Sequence, residues 1–332
     1  MSKTSIKTIN HYAAGLDIGS EKIYVSIAGK EVKNFDTFTS GINELSTYLK
    51  EHNITSVAME ATGVYWIPIY EILEKNGFEV YVVNAYHVKN VPGRKSDVLD
   101  CQWIQELHSC GLLRGSFIPE DTIRELRSYV RLRNDHIENV TSHIQHIQKA
   151  FNLMNIKLHN VISDIIGSSG QKIIKAILSG ERNPYKLVEL CDKSILNNKK
   201  ELVIKSLHGN YKSEHLFLLK QGMECIEFYQ EKIRECDKEI EILLKKLTDH
   251  NDDNPKKEAP SKKISGHHKP TIENLNTMLK GLCNNVDLSL IPGLTSLSIM
   301  KLISELGTNM DKWKTEKHFV SWLNLSPTIH SS

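Results

Sequence analysis

The stretch that decides the fold is residues 13–39, AAGLDIGSEKIYVSIAGKEVKNFDTFT. It contains three short runs rich in apolar and β-branched residues, at 13–19, 22–29 and 31–39, separated by Ser-Glu and Gly-Lys turns. Closely spaced runs of this kind, joined by tight turns, are typical of an antiparallel meander. The sequence therefore predicts three consecutive antiparallel strands near the start of the chain.

Beyond the meander the pattern alternates between helix and strand. Residues 41–52 have the apolar spacing of a helix, 56–61 read as a buried strand, 65–77 as a helix and 79–85 as a strand, with another helix to follow. The order βββαβαβ followed by a helix favours a mixed sheet with helices on its faces. We therefore predict an α/β domain of ribonuclease-H-like architecture over residues 10–118.

The remainder of the chain reads as helical. In residues 119–154 apolar positions recur mostly every three, four or seven residues, which predicts one long helix, and residues 213–247 predict a second. Two interpretations stay open: a coiled-coil hairpin or dimerisation arm, and two helices of a monomeric bundle. The expected domains are a helical coiled-coil region at 119–248, a polar linker at 249–270 and a small all-α C-terminal domain at 271–332.

Composition limits the class of protein. The 332 residues suffice for two domains, and 40% hydrophobic with 25% charged residues is ordinary for a soluble chain. A net charge of +2 does not identify a polyanionic partner. Six scattered cysteines without a Cys-x-x-Cys pair indicate reduced thiols rather than a zinc site. A polar N-terminus and no apolar run near ~20 residues predict an intracellular protein that makes no membrane contact.

Four carboxylates carry the strongest chemical signal. Asp17 lies between two glycines in the first predicted strand, and Glu60 ends the strand at 56–61. Asp97 and Asp100 are three residues apart, so they share one face of a helix. Such acids can converge only around a cation, and hard oxygen ligands select Mg²⁺ or Mn²⁺. The pattern predicts a divalent-metal site suited to clamping a phosphodiester.

Each acid also has a structural alternative. Asp97 could cap its helix, and Asp100 could favour the positive amino end of that helix. Asp17 could be a hairpin turn residue and Glu60 an acid at a strand end. The occurrence of all four in this order of elements favours the metal site.

Five segments together resemble the insertion-sequence transposases of the one-ten family. They are GLDIGSEKIYVSI at 15–27, MEATGVYW at 59–66, NVPGRKSDVLDCQWIQELHSCGLL at 90–113, LIPGLTSLSIMKLISELG at 290–307 and FVSWLNLSP at 319–327. The resemblance implies a RuvC-like amino domain with an Asp-Glu-Asp-Asp tetrad, a coiled-coil arm and a C-terminal transposase domain. Carried over by position, the tetrad is Asp17, Glu60, Asp97 and Asp100.

The resemblance also implies an activity. A member of this family is a site-specific DNA recombinase that a structured, element-encoded RNA guides to the element ends and the target. The tetrad would hold Mg²⁺ or Mn²⁺, and a serine from a partner subunit of a dimer or tetramer would attack the DNA as a covalent nucleophile. We expect such a protein in the prokaryotic cytoplasm, associated with the nucleoid.

The serine is the point at which this sequence departs from the family. The family places it directly before a Gly-Gly pair, a few residues beyond a Trp-Leu-x-Leu-x-Pro stretch. The matching position is Ser332, and the Gly-Gly pair and the basic helical tail are absent from the given sequence. We therefore expect a truncated copy, with an incomplete transposase domain and a poor nucleophile.

Basic residues suggest where nucleic acid binds. Arg94 and Lys95, directly before the second pair of acids, are expected to steer phosphates toward the metal site. An arginine ridge with helical spacing suits a phosphate backbone or an RNA groove. It consists of Arg124, Arg127, Arg131 and, less well aligned, Arg133. A solvated helix face paired with neighbouring acids is an equally open interpretation.

Gly293 belongs to a third candidate contact. IPGLTSLSIMKLISELG at 291–307 has the form of a helix-hairpin-helix, in which a Pro-Gly turn precedes a helix whose amides can meet a phosphate. A buried helical turn is the commoner explanation of such a motif.

Three other functions compete. Residues 15–27 also resemble the first phosphate loop of sugar-kinase and actin-like ATPases, but the required second Asp-x-Gly motif and Gly-rich adenosine segment do not follow. A Mg²⁺-dependent RuvC-like nuclease or resolvase would need only the tetrad, with water as the nucleophile. An inactive relic would bind RNA and DNA without cutting.

Overall fold

The computed structural model describes residues 7–84, 97–249 and 269–325; of residues 97–99 and 249 it describes the backbone alone. The chain divides into two compact units, and in the sequence the boundary falls between Ile118 and Pro119.

The described part of the first unit contains a mixed sheet and three helices. The elements are β1 (Ala13–Ile18), β2 (Lys22–Ile27), β3 (Lys33–Asp36), α1 (Thr39–Glu51), β4 (Ser56–Glu60), α2 (Trp66–Lys75), β5 (Glu79–Val83) and α3 (Asp97–Ser109). The strand order is β3-β2-β1-β4-β5. β1, β2 and β3 pair antiparallel, whereas β4 pairs parallel with both β1 and β5. The predicted meander and mixed sheet are confirmed, and this order is consistent with a ribonuclease-H-like domain.

Helices cover both faces of the sheet because side chains alternate along each strand. Leu16 of β1 and Met59 of β4 belong to a core that also contains Leu45 of α1 and Leu73 of α2. The other face has a smaller core. It contains Ala58 of β4, Val83 of β5, and Ile104 and Leu107 of α3.

Gly15 allows α3 to approach the sheet closely. A Cβ atom added at Gly15 would overlap the backbone of Cys101 and Gln105 on α3. In the sequence Gly15 was notable only as one of the two glycines beside Asp17. The structure gives a specific reason for a glycine at this position, which is direct packing of a helix backbone on β1.

The described part of the second unit is helical. Its α-helices are α4 (Asp121–Leu153), α5 (Ser168–Leu178), α6 (Pro184–Val188), α7 (Lys193–Ser206), α8 (Ser213–Asp249), α9 (Leu275–Leu282), α10 (Ser296–Leu306) and α11 (Glu316–Trp322). Short 3₁₀ turns lie at Leu158–Asn160 and Leu288–Leu290. Both predicted long helices are confirmed as α4 and α8.

The two long helices form an antiparallel pair within one chain. Arg133 near the start of α4 contacts Asp237 in the second half of α8, whereas Ile147 near the end of α4 lies close to Gly222 in its first half. Smaller helices pack at the two ends of this pair. One core joins it to α5, α6 and α7, and a second joins it to α9 and α10. A coiled coil between chains stays a prediction.

The segment expected as a separate C-terminal domain shares a core with the long helices. Leu279 of α9 and Ile303 of α10 belong to the same buried cluster as Leu126 of α4 and Leu244 of α8. Both helices lie in the compact unit that begins at Pro119. The predicted boundaries at 249–270 and 271–332 stay predictions.

Membrane insertion finds no support in the described helices. Across residues 7–84, 97–249 and 269–325, none combines the length and the apolar character that crossing a bilayer requires.

Candidate functional site

Asp17 and Glu60 are brought together by the register of two parallel strands. Leu16 of β1 pairs with Met59 of β4, so the next residues, Asp17 and Glu60, lie side by side at the carboxyl ends of their strands. Neighbouring strands are about 4.8 Å apart, and these two side chains point to the same face of the sheet. Both residues are partly exposed. Two acids 43 positions apart in the sequence thus share one edge of the sheet.

The first turn of α3 lies at the same edge. The helix packs on β1 at Gly15 through the backbone of Cys101, and it covers the sheet face from which Asp17 and Glu60 project. Asp100, the residue before Cys101, is partly exposed. The structure therefore brings three of the four predicted carboxylates to one region of the first unit.

The pKa of the Cys101 thiol reflects the positions of Asp17 and Asp100. Its side chain is fully buried, and burial followed by the negative charge of Asp17 raises the pKa of the Cys101 thiol to about 11. Asp100 contributes a smaller increase in the same direction. Asp17 and Asp100 therefore both lie within electrostatic range of the same sulfur atom. The thiol stays protonated at neutral pH.

The C-terminal end of α3 contacts the N-terminal end of β4. Nε2 of His108 lies 2.7 Å from the Oγ of Ser56, the first residue of β4, and both side chains are buried. The Tyr81 ring packs against the imidazole, with centroids 4.8 Å apart. Burial lowers the pKa of His108, so the ring is neutral at physiological pH. This contact fixes the helix that carries Asp100 against the strand that carries Glu60.

The oxygen atoms that these side chains offer are of the type that binds a hard divalent cation. Asp17, Glu60 and Asp100 supply carboxylate oxygens, the ligands that Mg²⁺ and Mn²⁺ prefer. Among the side chains that the structure describes, no three His, Cys, Asp or Glu groups are close enough to form a metal site. Asp97 begins α3, and its side chain lies outside the described residues. The metal centre therefore stays a prediction.

Three further predicted site residues lie outside the described part of the chain. Arg94 and Lys95 precede α3, and Ser332 ends the sequence. Their proposed roles, phosphate steering and nucleophilic attack, stay predictions.

The arginine ridge on α4 has partners within its own unit. Arg124 pairs with Asp121 at 3.1 Å. Arg127 donates to the backbone carbonyl of Glu305, at the end of α10, at 2.6 Å. Arg131 forms two 2.8 Å hydrogen bonds to the Glu305 carboxylate and is still 61% exposed. Arg127 and Arg131 thus bind the C-terminal end of α10, and a nucleic-acid contact at the ridge stays a prediction.

Arg133 does not belong on an exposed ridge. Its side chain is fully buried and donates from Nε to Oδ1 of Asp237 at 2.6 Å. The other carboxylate oxygen of Asp237 accepts from the backbone N–H and the hydroxyl of Thr271. Placing Arg133 with the exposed arginines was wrong, because position 133 continues the apolar stripe of α4 through Val130 and Val140. This ion pair joins α4, α8 and the segment before α9.

Gly293 lies in a turn that leads into α10. Its φ of +91° is a left-handed conformation that favours glycine. Thr295 then caps the helix by accepting a hydrogen bond from the Ser298 amide at 3.2 Å. The predicted Pro-Gly turn before a helix is present, and its contact with phosphate stays a prediction.

A known family matches the part of the chain that contains these carboxylates. Residues 14–156 match the family model DEDD_Tnp_IS110, which is described as a transposase. This region is an IS110-family transposase domain. The matched range contains Asp17, Glu60, Asp97 and Asp100, and it extends through α4 of the second unit. No curated protein matches the chain.

The sequence did not reveal the supporting residues of the transposase domain. Cys101 and His108 are seven positions apart, so they lie on the same face of α3. This helical spacing was the feature of the sequence that could have indicated that both side chains are buried. The sequence around Ser56 did not indicate its contact with His108, because the two residues are 52 positions apart. The role of Gly15 depends equally on a helix that follows much later in the chain.

Proposed function

We propose that this transposase domain acts as a site-specific DNA recombinase in which Asp17, Glu60, Asp97 and Asp100 bind Mg²⁺ or Mn²⁺ against nucleic-acid phosphates. The observation that carries the proposal is the β1–β4 register, which sets Asp17 beside Glu60 at the edge where α3 begins. A matching transposase family model over the same residues supports it.

The chain's own residues would prepare this site before DNA arrives. Gly15 lets the α3 backbone rest on β1, and the His108–Ser56 contact holds the far end of α3. Because like charges repel, Asp17 placed beside Glu60 favours the binding of a cation. A bound divalent ion would supply Lewis-acid stabilisation of the negative charge that develops on the phosphate.

The remaining elements of the proposal follow from the family resemblance. A structured RNA encoded by the element would guide the recombinase to its DNA sites, with Arg94, Lys95, Arg124, Arg127, Arg131 and the turn at Gly293 as candidate backbone contacts. The position of the serine nucleophile would be Ser332, supplied by a partner subunit of a dimer or tetramer. Its attack would join serine Oγ to the scissile phosphorus and release a DNA hydroxyl.

A trapping experiment tests the proposal. The chain is incubated with guide RNA, Mg²⁺ and a nicked suicide DNA substrate, and covalent protein–DNA adducts are separated under denaturing conditions. We expect an adduct that requires the divalent ion, disappears in Ser332→Ala and disappears in Asp17→Asn.

The same experiment separates the competing functions. Mg²⁺-dependent cleavage that leaves no adduct and survives Ser332→Ala would identify a nuclease or resolvase that uses water. Tight RNA binding with neither cleavage nor adduct would identify a nucleic-acid-binding relic. Activity that survives both Asp17→Asn and Glu60→Gln would remove the carboxylate site from the mechanism.

A further inference from the structure

Three aromatic rings form a cluster of their own near the end of the described chain. The Trp313 ring centroid lies 5.0 Å from that of Phe319 and 5.3 Å from that of Trp322. Phe319 and Trp322 are nearly parallel, with an interplanar angle of 11° and centroids 6.3 Å apart. Phe319 and Trp322 lie on α11, three positions apart, and Trp313 precedes that helix. We call these three residues the aromatic triad.

The triad is a surface feature. Within the described part of the chain, none of its members belongs to a buried core cluster. Trp322 is 44% exposed, and Trp313 and Phe319 are half-buried. The nearby side chains of Val320 and Leu325 are also exposed. Large aromatic surface in contact with water is costly unless a partner covers it.

Positive charge accompanies the exposed rings. Lys312 and Lys314 flank Trp313 in the sequence, and Lys317 lies in the first turn of α11; all three are exposed. Residues 312–318 contain these three lysines and a single acid, Glu316. Aromatic faces interleaved with cations match stacked bases joined by phosphates.

We propose that the aromatic triad and its lysines bind unpaired nucleotides, in RNA or DNA, by stacking a base on Trp322 while Lys312, Lys314 and Lys317 contact the backbone. The site is distinct from the carboxylates of the first unit. The inference rests on the proposed function only for the expectation that nucleic acid is the partner.

Binding to short, labelled single strands tests the proposal. Fluorescence anisotropy of the full chain with oligouridine RNA and with oligothymidine DNA measures the two sources of unpaired bases separately. Since stacking on one aromatic side chain contributes about 1–3 kcal/mol, Trp322→Ala should weaken single-strand binding about 5- to 150-fold. Trp322→Phe keeps a stacking face and should recover most of the affinity. Affinity for blunt duplex DNA should be unchanged in both variants.

Phe228 provides a matched control. It is 56% exposed on α8, and the amino group of Lys232 lies 5.6 Å from its ring centroid, so it too combines an aromatic face with a cation. Phe228→Ala should leave single-strand affinity unchanged. A loss equal to that of Trp322→Ala would show that any exposed aromatic side chain contributes, and it would overturn the assignment.

The lysines provide a second test that does not remove an aromatic ring. Changing Lys312, Lys314 and Lys317 together to Gln should reduce the salt dependence of single-strand binding, lowering the log–log slope by about 2. If circular dichroism shows that Trp322→Ala does not fold, the triple lysine variant and Trp322→Phe test the proposal in its place. An unchanged slope in the lysine variant would overturn the proposal.

Two further outcomes separate this inference from the proposed recombinase. If Trp322→Ala alters the oligomeric state in sedimentation but not nucleic-acid affinity, the triad binds protein and the inference is wrong. Binding does not require cleavage, so the same titrations in the Asp17→Asn background should give wild-type affinity. The triad can therefore pass this test even where the trapping experiment fails, and the reverse also holds.

Discussion

The carboxylates of the two units lie in contrasting environments. In the second unit, Asp237 is fully buried and matched by the Arg133 guanidinium and by two donors from Thr271. In the first unit, Asp17 and Glu60 are adjacent acids at a partly exposed sheet edge, with Asp100 near the same buried thiol. A buried acid with matched donors holds elements together, whereas neighbouring acids at a partly exposed sheet edge favour the binding of a cation. The difference supports the proposal that the carboxylates of the first unit are the functional ones.

Neutralising the functional acids should produce the largest effect. We expect Asp17→Asn and Asp100→Asn each to lower Mg²⁺-dependent DNA activity by about a thousandfold, because each removes a carboxylate ligand of the proposed metal ion, which would stabilise the negative charge that forms on the phosphate. The melting temperature of Asp100→Asn without metal should hold or rise, since one repelling charge is lost. Activity assays and thermal denaturation of each variant measure the two effects.

Asp121→Asn is the matched control for Asp100→Asn. Asp121 also lies in the first turn of a helix, and its side chain is 90% exposed. If Asp100 merely favoured the positive end of its helix, the two variants would behave alike. A clear fall in the melting temperature of Asp100→Asn, with activity retained, would support that structural interpretation.

Removing the matched acid should instead cost stability. Asp237→Ala leaves the Arg133 guanidinium buried without its charge partner, which typically destabilises a protein by about 3–5 kcal/mol. Denaturant unfolding of the full chain measures the loss. The exposed pair of Glu231 with Arg234 provides a control, and Glu231→Gln should leave the unfolding midpoint unchanged.

A double variant sharpens the same point. Arg133→Met combined with Asp237→Leu replaces both charges with apolar groups, so it should recover much of the stability lost in Asp237→Ala. Stability as low as that of the single variant would mean that the hydrogen bonds to Thr271, rather than the ion pair, hold these elements together.

Gly15→Ala should have an intermediate effect. The added methyl group overlaps the α3 backbone, and overpacking of this kind costs about 1–3 kcal/mol. Because the helix carrying Asp100 must move, DNA activity should fall even at temperatures where the variant is fully folded. Gly281→Ala is the control, since its new Cβ would meet only Thr248 at 3.7 Å and should be neutral or stabilising.

The smallest expected effect is a pH dependence from His108. Burial lowers the pKa of His108 in the folded protein below the ordinary value of 6.5, so the unfolded chain binds the proton more readily. The stability due to neutral His108 is therefore full above pH 6.5 and is lost as the pH falls toward the folded-state pKa. Melting temperatures measured between pH 5 and 8 should decline on the acid side, and His108→Gln should decline less. Equal slopes in both proteins would contradict this role.

The parts of the fold that local pattern encodes could be predicted. Turn residues between the runs at 13–39 specified the meander, and apolar residues every three or four positions specified α4 and α8. Asp17 and Glu60 were recognisable because charge in an apolar strand is unusual, and Asp97 and Asp100 because their spacing of three puts both on one helix face. Arg133 was placed wrongly because an arginine on a helix is usually exposed, and its partner lies 104 residues away.

The sequence by itself determined the order of strands and helices, the length of the two long helices, and which carboxylates are candidates for metal binding. Each of these depends on residues that are neighbours along the chain. Tertiary structure alone decided that Asp17 lies beside Glu60, that Gly15 receives the backbone of α3, and that Arg133 is buried against Asp237. These contacts join residues distant in sequence, so no local period or turn signal records them, and they exist only once strands pair and helices pack.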